Sequence, residues 1–569
     1  MRLIWIFPLT VLLLSACQSD TEMDQPGDMA PADTATTAAP ASSHAADLVD
    51  IDFNPNLAGY IKTLASDEFA GRQPATVGEE KTLDFLVERF RAAGMQPGMG
   101  ESFLQPVPLV AITAEDASDL VIETGDQSQT LRSYDQVLTW TSRQQQSIAI
   151  DHSEVVFVGY GIVAPEYDWN DYAGVDVRGK TVVIMVNDPG FVNQDSDLFR
   201  GRAMTYYGRW TYKYEEAARQ GAAMALVIHQ TDAAGYGFHV LQAGARGAQY
   251  HLDEGGNEQP ALAIEGWLNE SAAQQLFSVA NADWQDLTQA AGKPGFAARP
   301  LGVTASVSLK NRFERLQSHN VVAVYPGSER PDEYFIYTAH WDHLGTDPSL
   351  EGDTIYNGAQ DNASGTAALL ALAENFAAAP RPQRSIAFVA VTAEESGLLG
   401  SRYFGLNPPF PVSQIAGGLN MDALNIAGPM RDLIVIGHGS SELEPIIAQL
   451  AERQNRYIVP DLAPEKGFYY RSDHFNLAKL GVPMLYVKGG TDHFEHGQEY
   501  GRERSGDYLK LRYHKPADEF GPWWDMRGVE QDLSLYFQLG MQVANSSDWP
   551  EWYEGNEFRA IREASRTSE

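Results

Sequence analysis

Cysteine is nearly missing from this chain: Cys17 is the only one among 569 residues. A single thiol leaves no internal disulfide, so stability has to come from core burial. It also leaves no thiolate metal site, so any bound metal must rest on His, Asp and Glu. Positive charge is scarce too. Against 76 acidic residues stand 41 Lys and Arg, a formal net charge of -35. A surface of that sign argues against nucleic acid as a partner and favours solubility. Long apolar runs are lacking: the one from Leu3 to Ala16 is too short to span a bilayer as a helix, and no later segment could cross a membrane. The stretch Gly159–Tyr160–Gly161 lacks the third glycine and following helix of a dinucleotide fingerprint, so it reads as a turn or bulge.

The run Leu3–Ala16 follows Arg2 and ends in Leu14–Ser15–Ala16–Cys17. A short apolar run closing on a small residue and a cysteine is the pattern of a lipoprotein signal, with Cys17 as the lipidated first residue of the mature chain. Gln18, rather than aspartate, resembles the lipoproteins sent to the outer membrane. The expected address is therefore exported and lipid-anchored, in the outer membrane of a Gram-negative cell, with that anchor as the only membrane contact. Residues 18–50 are rich in Ala, Thr, Ser, Asp and Pro and read as a disordered tether.

Beyond the tether the texture changes twice. Residues 78–93 carry Leu83, Leu86, Val87 and Phe90 on one helical face, stopped by Gly94. From about 115 to 310 short strands and turns dominate, with apolar runs at 154–163 and 179–188 and a helix–glycine–strand pattern over 212–229. From 318 onward strands alternate with helices. The strands fall at 319–325, 333–339, 385–392, 415–421, 432–437 and 483–487; the helices at 362–378, 396–404, 441–454 and 523–544. That alternation argues an α/β domain with helices on both faces of a sheet.

In open α/β sheets ligands bind beyond the carboxyl ends of the strands. There the chain is polar where apolar residues have just been running. After 333–339 come His340 and Asp342, two apart and so on one side if the strand continues, with His343 turned the other way. Asp361 precedes a helix. Glu394 and Glu395 follow 385–392, Asp422 follows 415–421, and His514 and Asp518 lie in "RYHKPADEF". Each has a plain reading as well: a hydrogen-bonded loop pair, an N-cap, a solvated helix start. Together they make two histidines, three carboxylates and a spare glutamate, a set that suits two divalent cations. Three carboxylates and one hydroxide balance four positive charges in a partly dry site. Zinc is the first choice, since it accepts both imidazole and carboxylate.

The motifs "AHWDHLG", "DNASG", "TAEESGLLGS", "NMDA", "RSDHFNLAKLGVP" and "YHKPADEF", in this order, resemble the co-catalytic zinc exopeptidases of the bacterial leucyl aminopeptidase and glutamate carboxypeptidase II type. "LASDEFAGRQPATVGEEKTLDFLVERFRAAGMQP" resembles the N-terminal segment of that family. The stretch between resembles an inserted protease-associated (PA) domain. The resemblance implies a mixed-sheet, three-layer αβα peptidase domain formed by residues 51–115 and 313–548. A β-rich PA domain would occupy 116–312, and a C-terminal tail 549–569.

It also implies roles. His340 and Asp422 would bind one Zn2+, Glu395 and His514 a second, and Asp361 would bridge them. Glu394 would be the general base and acid, with Asp342 and Asp518 orienting the two histidines. The bond Asp361–Asn362 would be cis. Tyr469 or Tyr470 would donate to the oxyanion or else pack the pocket wall, and Asp473 and His474 would hold their loop together. The stretch 489–497, with His493, Glu495 and His496, would be a rim loop, because five ligands suffice without it. The implied activity is a zinc aminopeptidase acting on short peptides. A carboxypeptidase would need a cation for the substrate carboxylate, for which Arg471 and Lys488 are available. Glutaminyl cyclase chemistry and a receptor-like binding role complete the alternatives. Oligomeric state is left open.

Overall fold

In the computed structural model the described residues are 54–567, apart from 126, 195–197, 246 and 254–260. Cys17, the leader and the tether lie outside them. Eight strands form the sheet that carries the site. In spatial order they are Leu104–Ala117, Arg299–Tyr325, Arg384–Val391, Arg330–His340, Ile415–Asn420, Met484–Gly489, Asp432–Ile436 and Tyr457–Pro460. The middle four run parallel, so their carboxyl ends share one edge of the sheet.

Period-2 alternation explains why these strands sit at the centre. Phe335, Tyr337 and Ala339 enter one apolar core with Ile386, Phe388 and Ala390, while Ile336 enters another with Ala387 and Val389. Helices cover both faces. Val77–Ala92, Ser364–Ala378, Leu443–Arg453 and Met526–Asn545 pack into the first core; Leu399–Leu406 and His474–Ala478 supply Phe404 and Leu477 to the second. Sheets buried on both faces take near-continuous apolar strands. Arg384–Val391, buried at every position, is such a strand.

Residues 118–309 contribute a second, β-rich region with its own apolar cores. Ser147–Phe157, Thr181–Met185, Met224–His229 and Ile264–Asn269 run parallel in that order, with Val137–Trp140 antiparallel at the edge. This region does not hang on flexible linkers. Leu104–Ala117 and Arg299–Tyr325 pair antiparallel from Leu104↔Val321 to Ala117↔Leu309, so both strands run through from one core to the other. The boundaries read from sequence, at 115/116 and 312/313, fall inside this continuous ribbon. The described part of the C-terminal tail, 549–567, packs back on the fold. Trp552 is fully buried and donates its indole N–H to the Gly481 carbonyl, 2.8 Å away.

Candidate metal centre and active site

His340 is the last residue of the central strand, paired on one side with Val391. Thr366, in the helix that follows Asp361, donates its hydroxyl to the His340 carbonyl at 2.7 Å. The imidazole Nε2 then lies 3.3 Å from Asp361 Oδ1 and 3.4 Å from Asp422 Oδ1. The His514 Nε2 lies 3.2 Å from Asp361 Oδ2 and 3.2 Å from Glu395 Oε2. Asp361 thus offers one oxygen to each side, and the ligand atoms of His340, Asp361 and Asp422 all lie within 4.8 Å of one another. A second such group joins His343, Asp361 and Glu395. The donors are imidazole and carboxylate only, two groups share Asp361, and His340, His343 and Asp361 are buried while Asp422 and Glu395 are partly so. That arrangement fits a pair of divalent cations.

The backbone around these residues is held by buried polar contacts. Asp342 accepts the Glu394 N–H at 3.0 Å and the Glu395 N–H at 3.4 Å, fixing the turn that presents both glutamates. Its own link to His340 runs through its carbonyl, 3.2 Å from Nδ1. Asp518 does not touch His514 as expected from the sequence. Its two carboxylate oxygens accept the N–H groups of Gln360 and Asp361, at 3.1 and 3.0 Å, so it positions Asp361 instead. Ser472 donates to Asp422 Oδ2 at 2.7 Å and in turn accepts from Asn420. The Asp361–Asn362 bond is cis.

Three residues beside or within the set take left-handed backbone conformations that disfavour a Cβ: Ala393 at φ 52°, Ala423 at φ 52° and His514 at φ 53°. Strain of this kind gathers at functional sites. Gly358, at φ 55°, avoids the same cost, and a Cβ there would strike the Asp361 carbonyl and the His343 ring.

Two readings from sequence are corrected here. His343 is no bystander: it is buried, and its Nδ1 lies 2.7 Å from Glu395 Oε1. The strand ends at His340, so alternation no longer says where residue 343 points. Tyr470 does not reach the site, because its hydroxyl donates to Glu557 at 2.8 Å. The Tyr469 hydroxyl is sealed from solvent with no partner among the described residues, and its ring lies against His474 at 4.5 Å. The tyrosines near the carboxylates are others. The Tyr486 hydroxyl lies 3.5 Å from the Asp422 carbonyl, and Tyr513 stacks on His514 with ring centres 3.9 Å apart.

Arg72 was also missed. It is fully buried in the stretch Asp67–Arg72 and donates to the carbonyls of Trp341, Asn357 and Gly358, tying together the loops that carry His340 and Asp361. An arginine beside a glycine in a polar stretch gives no sequence sign of this. In the rim loop, His493 Nδ1 accepts the N–H groups of Glu495 and His496, while Glu495 pairs with Arg527. The stretch 489–497 is held by these contacts and by Arg431 and Asp432, which bind its backbone.

Burial pushes the Glu394 carboxyl well above the usual carboxylate range; Glu395, Asp422 and Asp473 push the same way and His340 opposes. Burial likewise carries Asp342 up to about 7 and Asp518 up to about 6. For His514 burial works downward, but its contacts with Asp361 and Glu395 win and raise it to about 10. A half-buried glutamate of raised proton affinity beside a cation-ready carboxylate set has the makings of an acid–base group.

Residues 320–527 match the family model described as peptidase family M28. The matched segment contains Glu394, the five candidate ligands and His343. A rat aminopeptidase, NAALADL1, is 37% identical over 119 residues, which cover 20% of this chain and 14% of that protein. A probable zinc metalloprotease of Leptosphaeria maculans is 38% identical over 210 residues, 35% of this chain and 47% of its own length. The chain thus spans less than half the length of each of these curated relatives. Among solved structures, an aminopeptidase from Aneurinibacillus sp. strain AM-1 is 18% identical with a TM-score of 0.46, covering 87% of this chain and 94% of that one. A zinc aminopeptidase from Bacillus subtilis is 15% identical with a TM-score of 0.39, covering 88% and 98%.

Proposed function

We propose that the chain is a two-metal exopeptidase, an aminopeptidase that releases N-terminal residues from short peptides. The observation that carries this reading is the shared carboxylate: Asp361 turns one oxygen toward His340 and the other toward His514. His340 and Asp422 would hold one zinc ion, Glu395 and His514 the other, with Asp361 between them. His343, on Glu395 Oε1, leaves Oε2 to face His514. It is a positioning residue in this scheme. Two zinc ions held there would lower the proton affinity of the attacking water and polarise the scissile carbonyl. Glu394 takes the proton of that water as the C–O bond forms. It returns the proton to the departing nitrogen as the C–N bond breaks, which leaves a free amino acid and a shortened peptide. Asp342 keeps Glu394 in place throughout by holding its N–H.

Residues 116–312 are read as a PA-type insert. Their separate apolar cores support this, as does their seat on the loop beside Ser472: Met204 N–H donates to the Pro464 carbonyl at 3.1 Å, and Tyr206 packs on Phe475. The insert would limit the cleft to small substrates. Export and anchoring through Cys17 rest on the leader pattern. Among the described residues no helix is long and apolar enough to cross a membrane.

The test is hydrolysis of aminoacyl-p-nitroanilides and N-blocked peptides by the full chain, with chelator and with zinc restored, beside Glu394→Ala. Cleavage of unblocked substrates alone, stopped by chelator, rescued by zinc and lost in the variant, is the expected result. Cleavage of blocked peptides from the carboxyl end would replace it with a carboxypeptidase. Metal binding without hydrolysis would point to cyclase chemistry, and no metal binding would overturn the site.

A further inference from the structure

Lys488 follows Tyr486 by two residues on the strand Met484–Gly489, so the two side chains leave the same face of the sheet. Tyr486 reaches the Asp422 carbonyl. The Lys488 ammonium lies 6.0 Å from the centre of the Tyr486 ring, within electrostatic reach of Asp422 and Asp461. A cation therefore stands beside the candidate site on the last of its four parallel strands. Its local acids are occupied. Asp422 meets His340 with one oxygen and Ser472 with the other, and Asp461 accepts the Ala463 N–H. Lys488 itself forms no ion pair among the described residues. The residue is half-buried, and burial lowers the proton affinity of its amine while Asp422 and Asp461 oppose that, so a further anion would favour the charged form. In a chain with 76 acids and 41 bases, a cation without an ion pair among the described residues, near Asp422, is poised for an anion that arrives with the substrate. Arg471, the other cation the sequence offers, is exposed and lies over the Phe468 ring.

We propose that Lys488 anchors a substrate carboxylate close to the scissile bond, which makes dipeptides with a free C-terminus the preferred substrates. This rests on the exopeptidase reading above. The same ammonium would also accept an acidic side chain, and the experiment separates the two sources.

The zinc-loaded full chain is assayed on Leu-Gly against Leu-Gly-amide, and on Glu-p-nitroanilide against Gln-p-nitroanilide. A charge-assisted pair gives a preference of about tenfold to a hundredfold. We expect that preference for Leu-Gly, carried mainly by KM, to fall to near unity in Lys488→Met and to survive in part in Lys488→Arg. If the glutamyl substrate carries the Lys488-dependent preference instead, Lys488 stands as the anchor and the dipeptide assignment is overturned. Equal rates within both pairs, or a preference that Lys488→Met leaves intact, overturns the anchor. Calorimetric Kd values for Leu-Gly and its amide on Glu394→Ala, with and without Lys488→Met, give the same comparison without turnover. Cleavage with no Lys488-dependent difference removes the anchor and leaves the exopeptidase. A Lys488-dependent difference in Kd without cleavage by the wild type removes the exopeptidase and leaves the anchor.

Discussion

Glu394 is gripped by its backbone: Asp342 holds the N–H at 3.0 Å, while among the described residues its carboxyl forms no ion pair and lies within 4.8 Å of a His340 ring nitrogen. Replacing it with Gln keeps the shape and removes the proton shuttle. We expect kcat to fall by about 10²–10⁴-fold while bound zinc, measured by mass spectrometry, is unchanged; equal loss of metal and activity would recast Glu394 as a ligand. His474 shows a different use of burial. It is sealed between the Tyr469 and Tyr486 rings, and burial lowers its imidazole to about 3. A histidine whose folded value lies below its unfolded one contributes its full stability above the unfolded value and loses it as pH falls toward the folded one. From pH 6.5 to pH 4 this costs about 3 kcal/mol. Urea unfolding of His474→Phe should therefore depend less steeply on pH than the wild type over that window; parallel slopes would place the acid sensitivity elsewhere. At this scale the sequence was legible where a strand carried the residue to its end, as for His340, whose ring nitrogen meets Asp361 and Asp422. It was silent once the strand stopped, as for His343. It also misled where a distant partner took the hydroxyl, as Glu557 takes that of Tyr470.

Between residues and fold stands the packing of loops, and Arg72 governs two of them. Its guanidinium is fully buried, lowered by that burial to about 10 and so still charged, and it meets only carbonyls: those of Leu64, Trp341, Asn357 and Gly358. Arg72→Met strands these acceptors, and Arg72→Lys cannot span them with one nitrogen. Each variant should lose on the order of 3–5 kcal/mol and most of its activity, read by thermal unfolding and by zinc titration. A variant that keeps its melting temperature but not its metal affinity would narrow the role of Arg72 to the site. The strands and helices of the αβα layers were readable because their apolar residues recur at periods of 2 and 3.6. The helix Gly497–Leu511 was not: Gly501 is its only buried residue, so it has no apolar stripe to find. The long ribbon was not readable either. Alternation along Arg299–Tyr325 looks like a series of short strands until Leu104–Ala117 pairs along it, and that pairing spans some two hundred residues of chain.

Across the whole molecule the charge balance sets how the regions stay together. Among the described residues the β-rich region meets the loops beside the site through an ion pair and a charge-assisted hydrogen bond. Lys479 pairs with Glu215 at 2.9 Å, and Arg200 donates to the His438 carbonyl at 3.0 Å. Against these stands the excess of acids: the whole chain has a net charge of -35, most of it in these two regions. Repulsion among exposed like charges reaches about 10 Å at 0.1 M salt and about 3 Å at 1 M, whereas the apolar contact of Tyr206 with Phe475 is indifferent to screening. Added sodium chloride should therefore remove more repulsion than attraction and raise the melting temperature. Lys479→Met, which deletes one cation and its pair, should lower stability most at low salt and converge on the wild type at high salt. Scanning both proteins by calorimetry from 0.02 to 1 M sodium chloride, with zinc held constant, checks this. A melting temperature that falls with salt would mean that the specific ion pairs, rather than the excess of acids, dominate the electrostatics of the folded chain.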